Sequence, residues 1–310
     1  FRVFASYRLE QNRFYDFSDY FRQSESYYSN AYRDSSTVRT PTSARNFEYF
    51  GYRDYGPQPG SVLSYNEEWF TASQISLTIA RDSRNLPEFA TRGSQMSYTI
   101  EKSGGWLGGY WHYDKHTINL AKFIPIVGKL ALAAKLQYSM ITAPEGDSRV
   151  LLSDRFYPGG TAYDGIVRGY DDGSLTPDSL QSTRIDTTFI YFDSLASNPY
   201  AAADSMATST VQGSRVRVRG KYLLVTNLEL QYPIASQQLY GLIFFDAGNS
   251  WLRRETLKGF GGLYKSVGLG FRIVVPGIGT IGFDFGYPLD EKAGQTKKMK
   301  AHFQIGTTFR

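Results

Sequence analysis

Lys129-Leu130-Ala131-Leu132-Ala133-Ala134-Lys135-Leu136-Gln137-Tyr138 alternates with a period of two. One face carries Leu130, Leu132, Ala134, Leu136 and Tyr138, and the other carries Lys129, Ala131, Ala133, Lys135 and Gln137. Successive side chains of a strand point to opposite faces, so the stretch reads as a β-strand with one apolar face and one small or polar face. The period recurs toward the carboxy terminus. Ile281, Phe283, Phe285 and Tyr287 alternate with Gly282, Asp284 and Gly286, and Phe303, Ile305, Thr307 and Phe309 oppose His302, Gln304, Gly306 and Thr308. A helical period does not recur.

About ten such segments are present, near 1-15, 71-82, 92-103, 115-126, 128-141, 219-232, 238-249, 262-275, 279-288 and 299-309. Each has roughly the 9–11 residues that a tilted strand needs to cross a bilayer. The connections are sorted by length. Those at 126-128, 233-237 and 276-279 are tight, beside Pro125, Pro233 and Pro276, whereas 16-70, 142-218, 249-261 and 289-298 are long. Short turns at one end and long loops at the other are the layout of bacterial outer-membrane barrels, with the short side periplasmic. A soluble sandwich or propeller shares the alternation but has no reason to sort its loops. The expected fold is therefore all-β, a transmembrane antiparallel β-barrel. The 142-218 stretch is too long for an ordinary connection and reads as a functional loop.

Composition agrees. Among 310 residues aromatics reach 16%, with 24 Tyr and 21 Phe, alongside 30 Gly and no Cys. Mean hydropathy is -0.37, and no run approaches the roughly 18 consecutive apolar residues of a membrane helix. Barrel strands face lipid only at alternate residues, so low hydropathy is compatible with a membrane protein. The absence of Cys excludes a thiol nucleophile, a disulfide scaffold and Cys-ligated zinc. Net charge is +5, with only small basic clusters at Arg215-Val216-Arg217-Val218-Arg219 and Lys297-Lys298. Nucleic-acid binding calls for a dense basic face, which the sequence lacks.

No catalytic signature stands out. His112 and His116 have the spacing that suits zinc on a helix, but their neighbours Gly108-Gly109, Trp111 and Tyr113 read as a loop and strand start. Gly104-Gly105 and Gly159-Gly160 lack the strand–helix context of a phosphate cradle. Trp69, Trp106, Tyr110, Trp111 and Trp251 read as an interfacial aromatic girdle. The expectation is no metal, no cofactor and no enzyme activity.

An ordered set of motifs narrows the reading. Within the long loop stand Phe156-Tyr157-Pro158-Gly159-Gly160 and Val167-Arg168-Gly169-Tyr170. Upstream lie Arg81-Asp82-Ser83-Arg84-Asn85 and Thr91-Arg92-Gly93-Ser94. Downstream follow Asn227-Leu228-Glu229-Leu230-Gln231-Tyr232-Pro233, Phe244-Phe245-Asp246-Ala247-Gly248-Asn249, Gly268-Leu269-Gly270-Phe271-Arg272 and Ile281-Gly282-Phe283-Asp284-Phe285-Gly286, then the terminal strand His302 to Phe309. From about residue 70 onward this series resembles the BamA superfamily of outer-membrane assembly and secretion barrels, of BamA, TamA and FhaC types. The terminal strand and the 81-85 element favour the BamA type.

The resemblance implies an insertase that folds barrel proteins into the Gram-negative outer membrane through a lateral seam. It also implies that loop 142-218 folds back into the lumen on its VRGY motif. Expected partners are unfolded outer-membrane protein substrates, accessory BAM-type lipoprotein subunits and the lipid bilayer. Alternatives are a TamA-like assembly factor, a two-partner secretion pore and, from another class, a passive diffusion channel. By strand alternation Glu229 shares the polar face with Asn227 and Gln231, and Asp246 is expected on the lumenal side of its own strand. The planar fork of Arg168 can engage two carboxylates, so Arg168 is expected to tie the loop to Glu229 and Asp246, while Gly169 allows close approach to the wall. The seam is expected at Phe303, Ile305, Gly306 and Phe309, with Gly306 either a bend or a packing glycine.

Barrels of the BamA type have about sixteen strands, an even count as in bacterial barrels generally. Ten strands with two open edges would leave backbone groups unpaired in hydrocarbon. The chain is therefore expected to be the carboxy-terminal portion of a longer protein, its first strands and POTRA repeats lying outside this sequence, or to be completed by another chain. The resemblance also ends on an aromatic residue, as Phe309 does here, with Arg310 beyond it. Loop 16-70, rich in Tyr, Arg and Ser, either binds a surface partner or shields the barrel.

Overall fold

The computed structural model describes residues 1–13, 23–30, 48–55, 69–86, 89–161, 164–191, 204–235, 238–275, 279–292 and 295–306. The strands are β1 (Arg2–Arg13), β2 (Gln23–Asn30), β3 (Glu48–Tyr55), β4 (Trp69–Asp82), β5 (Gly93–Ser103), β6 (Tyr113–Val127), β7 (Leu130–Thr142), β8 (Asp178–Tyr191), β9 (Asp204–Arg217), β10 (Tyr222–Ala235), β11 (Leu239–Trp251), β12 (Tyr264–Val275), β13 (Gly279–Pro288) and β14 (Lys300–Gly306). The chain divides into two units. Phe1–Asn12, Trp69–Asp178 and Arg217–Arg310 form one, and Arg13–Glu68 with Ser179–Val216 form the other.

The first unit is a ten-stranded sheet in the order β1-β4-β5-β6-β7-β10-β11-β12-β13-β14. From β4 onward each pairing is antiparallel. All ten strands expected from alternation are present, with boundaries displaced by a few residues. The turn expected at 126-128 is the two-residue Gly128-Lys129 connection, because Val127 still pairs with Leu130. Pro125 and Pro233 each sit at a register shift, where a residue without an N–H leaves no ladder bond unmade.

The second unit corrects the reading of the long loops. The 16-70 and 142-218 stretches are not loops throughout, since β2 pairs β3 from Gln23↔Tyr55 to Asn30↔Glu48 and β8 pairs β9 in a separate two-stranded sheet. Hydrophobic alternation marks strands that bury one face, and these polar hairpins carry little of it.

Within the ten-stranded unit the two faces differ sharply. Opposite pairs Val267↔Tyr287, Leu269↔Phe285, Phe271↔Phe283 and Ile273↔Ile281 lie on one face, continued by Phe283↔Phe303 and Ile281↔Ile305 on β14. All these residues are exposed except Ile281, which is half-exposed. A contiguous apolar patch of this kind suits lipid rather than water. The other face is covered and polar. Asn227, Glu229, Gln231, Asp246, Arg272 and Asp284 are buried there, and residues 164–177 fold back across this face. The girdle reading needs correction: Trp69 and Trp106 are exposed, but Trp111 and Trp251 are buried. Trp111 meets Phe70 and Tyr110 edge-on, and Trp251 packs with Ala247 and Leu263, so both serve packing.

Near the short-turn end Ala90, Phe123 and Ala133 form a tight cluster, with Ala133 fully buried. Phe89 beside it stacks on Tyr240 with centroids 3.7 Å apart. Ala133→Leu has no room to adopt a relaxed rotamer, and overpacking of this kind destabilises by about 1–3 kcal/mol. It is expected to lower the urea midpoint of the full-length protein in detergent micelles. Ala134→Leu, on the opposite face, should leave that midpoint in place.

Candidate functional site on the covered face

The covered face owes its shape to where the sequence places glycine. On β12 and β13 the inward positions include Gly268, Gly270, Gly282 and Gly286, paired Gly268↔Gly286, Gly270↔Asp284 and Arg272↔Gly282. A Cβ at Gly268 would stand 2.3 Å from the Phe244 ring, one at Gly282 would stand 2.9 Å from the Arg272 guanidinium, and one at Gly270 would strike the Asp284 carboxylate at 2.1 Å. These glycines make a furrow in which a phenyl ring, a guanidinium and a carboxylate can lie flat against backbone.

Residues 156–161 and 164–176 meet this furrow as a compact turn. Gly160 and Val167 exchange backbone hydrogen bonds at 3.0 and 3.1 Å, which presents Ile166 to Tyr170 to the wall. Gly169 has φ 89°, a left-handed conformation that a side chain resists. It also lies against Gly286, where a Cβ would come within 2.5 Å of the Gly169 nitrogen. Val167, Arg168 and Tyr170 are each at most 1% exposed. The Tyr170 hydroxyl donates to the carbonyls of Lys265 and Asp290, at 2.8 and 3.0 Å.

Arg168 is the hub. Its Nε and Nη2 lie 2.7 and 2.8 Å from the two carboxylate oxygens of Asp246, and its backbone N–H donates to the same carboxylate at 3.0 Å. Nη2 also meets Glu229 Oε1 at 2.8 Å, and Nη1 lies 3.6 Å from Asp284. Asn227 Nδ2 donates to Asp246 at 2.9 Å and to the Ile166 carbonyl at 2.8 Å. Gln231 Nε2 donates to Glu229 at 2.9 Å. Strands β10 and β13 are three spacings apart, about 14 Å in a flat sheet. One guanidinium reaches carboxylates from both, so this part of the sheet curls toward the covered face.

The charges balance. Arg168, Arg272 and Lys135 share the site with Glu229, Asp246 and Asp284. Arg272 forms a two-pronged pair with Asp284, both bonds 2.8 Å long. Desolvation pulls the Arg168 pKa down, but Asp246 and Glu229 outweigh it and the net displacement is upward. The guanidinium is therefore permanently charged, and its burial is offset only while the carboxylates stay in place. A cavity of about 30 Å³ remains between Lys135, Arg168, Glu229 and Arg272, room for about one water molecule.

Phe244 lies beneath the guanidinium with the ring centroid 3.6 Å from Arg168 Cζ. A desolvated cation–π contact contributes about 2 kcal/mol. Phe244→Leu should keep the apolar volume and lose that term. Trypsin reaches Arg168 only when the turn lifts off, so cleavage after Arg168 in the native full-length protein is expected to speed up by about tenfold or more.

The structure therefore brings Val167, Arg168, Gly169 and Tyr170 together with Glu229 and Asp246. The seam residues lie elsewhere on β14. Phe303 and Ile305 point outward and are exposed, Gly306 is the last residue of the ladder, opposite Thr280, and Phe309 lies outside the described residues. Asp284, Arg272, Phe244, His302, Gln304 and Gly286 also belong to the site; all six lie in the family-like segments of the sequence, which assign them no role in holding the loop. His112 and His116 do not converge on each other: His112 Nδ1 meets Glu145 at 2.7 Å and His116 Nδ1 meets the Tyr98 hydroxyl at 2.8 Å. Among the described residues no group of three or more His, Cys, Asp or Glu side chains is placed to hold a metal.

A crystal structure of BamA from Haemophilus ducreyi lacking POTRA domains 1–3 superposes with a TM-score of 0.55 at 15% identity, covering 98% of this chain and 61% of that one. The chain thus spans about three fifths of the length of that protein, and at this identity the likeness is one of fold. No curated protein sequence matches the chain. The model of the Omp85 superfamily domain matches residues 3–309, and the chain belongs to the Omp85 superfamily.

Proposed function

We propose that this chain is the barrel portion of an assembly factor that inserts β-barrel proteins into the outer membrane. Family and fold together imply an outer-membrane β-barrel protein. The finer reading is supported by one observation above all: the Val167–Tyr170 turn is seated on the covered wall by Arg168, a few ångströms from the edge strand β14. A turn held there stiffens the wall from β10 to β13 and leaves the β14 backbone facing outward along the sheet. An open edge is a template for strand addition. An incoming strand would pair with that edge, so the work is to lower a folding barrier without covalent chemistry or a cofactor. The partners would be unfolded outer-membrane proteins, lipoprotein accessory subunits and the bilayer of a Gram-negative cell.

The test uses the full-length protein in liposomes and follows the folding of an unfolded outer-membrane protein by its resistance to protease. The proposal predicts strong acceleration over empty liposomes. Steady ion conductance without acceleration would contradict it and assign the chain to a secretion pore or diffusion channel.

A further inference from the structure

The Gly169 N–H, buried beneath the turn, donates to Nε2 of His302 on β14 at 2.9 Å. As an acceptor the imidazole carries its proton on Nδ1. Two residues earlier on the strand, the Lys300 ammonium meets Asp171 at 2.5 Å and Gln295 Oε1 at 3.3 Å. Gln295 Oε1 also accepts the Asp171 N–H at 3.4 Å. Two residues later, Gln304 Nε2 donates to Asp284 at 2.8 Å, the carboxylate that Arg168 and Arg272 approach. Every second residue of β14 from 300 to 304 thus reaches the turn or its carboxylate network. Ala301 and Phe303 between them, and Ile305 beyond, point outward and are exposed.

Among the described residues β14 is laddered to β13, from Gly286↔Lys300 to Thr280↔Gly306. A short strand opens most readily where its side chains make fewest contacts. Those contacts are concentrated at its first five residues. We propose that the Val167–Asp171 turn is a clasp on the edge strand, with His302 and Lys300 as positioning residues that hold residues 300–304 against β13, so that separation at this edge begins beyond Gln304. The consequence for assembly rests on the insertase reading: the clasp confines the part of the edge that opens.

The experiment is hydrogen–deuterium exchange on the full-length protein in lipid nanodiscs, read on peptides covering residues 300–306. Losing one buried hydrogen bond should speed exchange there about three- to tenfold in His302→Leu. His302→Gln, whose Oε1 can stand where Nε2 stood, should restore protection, and peptides from β7 and β10 should not change. Unchanged exchange at 300–306, or an equal rise in β7 and β10, would overturn the clasp. If His302→Leu does not reconstitute, Lys300→Met carries the test: faster exchange at 300–306 supports the clasp and unchanged exchange overturns it. Folding acceleration by the wild type is measured separately. Faster exchange in the variants without wild-type acceleration keeps the clasp and removes the insertase reading, and acceleration without any exchange difference does the reverse.

Discussion

Arg168→Ala is expected to bring the liposome folding rate most of the way back to that of empty liposomes. Arg168 is 1% exposed and its guanidinium is bonded to Asp246 and Glu229. Truncation takes the guanidinium from both buried carboxylates and leaves Asn227, Gln231 and the backbone N–H of residue 168 as neutral donors to them. Breaking a buried pair in this way costs about 3–5 kcal/mol. At about 1.4 kcal/mol per decade, that is a fall of two to three and a half orders of magnitude in the equilibrium constant for seating the turn. Arg168→Lys should fall between wild type and alanine, because an ammonium keeps the charge but cannot engage two carboxylates and lie flat on Phe244 at once. A full rate in Arg168→Ala would show that seating of the turn is irrelevant to assembly.

Gly286→Ala should cause a smaller loss of the same kind without touching a charge. Its new Cβ would stand 2.5 Å from the Gly169 nitrogen and 2.8 Å from its Cα, both backbone atoms that cannot swing aside. The turn must lift from the wall, which stretches the Arg168 contacts to Asp246 and Glu229. Overpacking of this kind costs about 1–3 kcal/mol, so the folding rate should fall, though less far than in Arg168→Ala, with tryptic cleavage after Arg168 rising in parallel. Gly261→Ala is the control. Its Cβ would meet nothing within 4 Å, and the rate should not move. Equal behaviour of the two alanine variants would separate assembly from the close approach at Gly286.

The sheet was legible because burial of one face writes itself into the sequence at period two. The 129-138 stretch sorts its side chains between the faces as alternation requires, with Ala131 and Ala133 buried. The hairpins β2–β3 and β8–β9 escaped because pairing between polar strands needs no such signal. Glu229 and Asp246 were reachable from their positions on alternating strands. Asp284 and Arg272 were equally placed on inward positions, and the glycines on either side, in Gly282-Phe283-Asp284-Phe285-Gly286 and Gly268-Leu269-Gly270-Phe271-Arg272, mark where the wall is thin enough to hold them. Their pairing depends on the register of β12 against β13, which no local pattern specifies. His302 was harder still: its partner is a backbone N–H 133 residues away, and only the seating of the turn brings them together. Trp111 and Trp251 were misread because a tryptophan at a strand end fits a lipid interface or a packed cap equally well until its neighbours are known.

The most direct test asks where an assembling strand touches the protein. A photo-activated crosslinking side chain is placed at Ile305, on the outward face of the edge strand β14, and in a second variant at Ile243, equally outward and exposed but on β11 within the sheet. Each full-length variant in liposomes is irradiated while an unfolded outer-membrane protein folds. Crosslinks to the substrate at 305 and not at 243, appearing during folding and vanishing once the substrate resists protease, are the predicted result. Substrate that folds rapidly with no crosslink at 305, or with equal crosslinks at both positions, would contradict assembly at this edge.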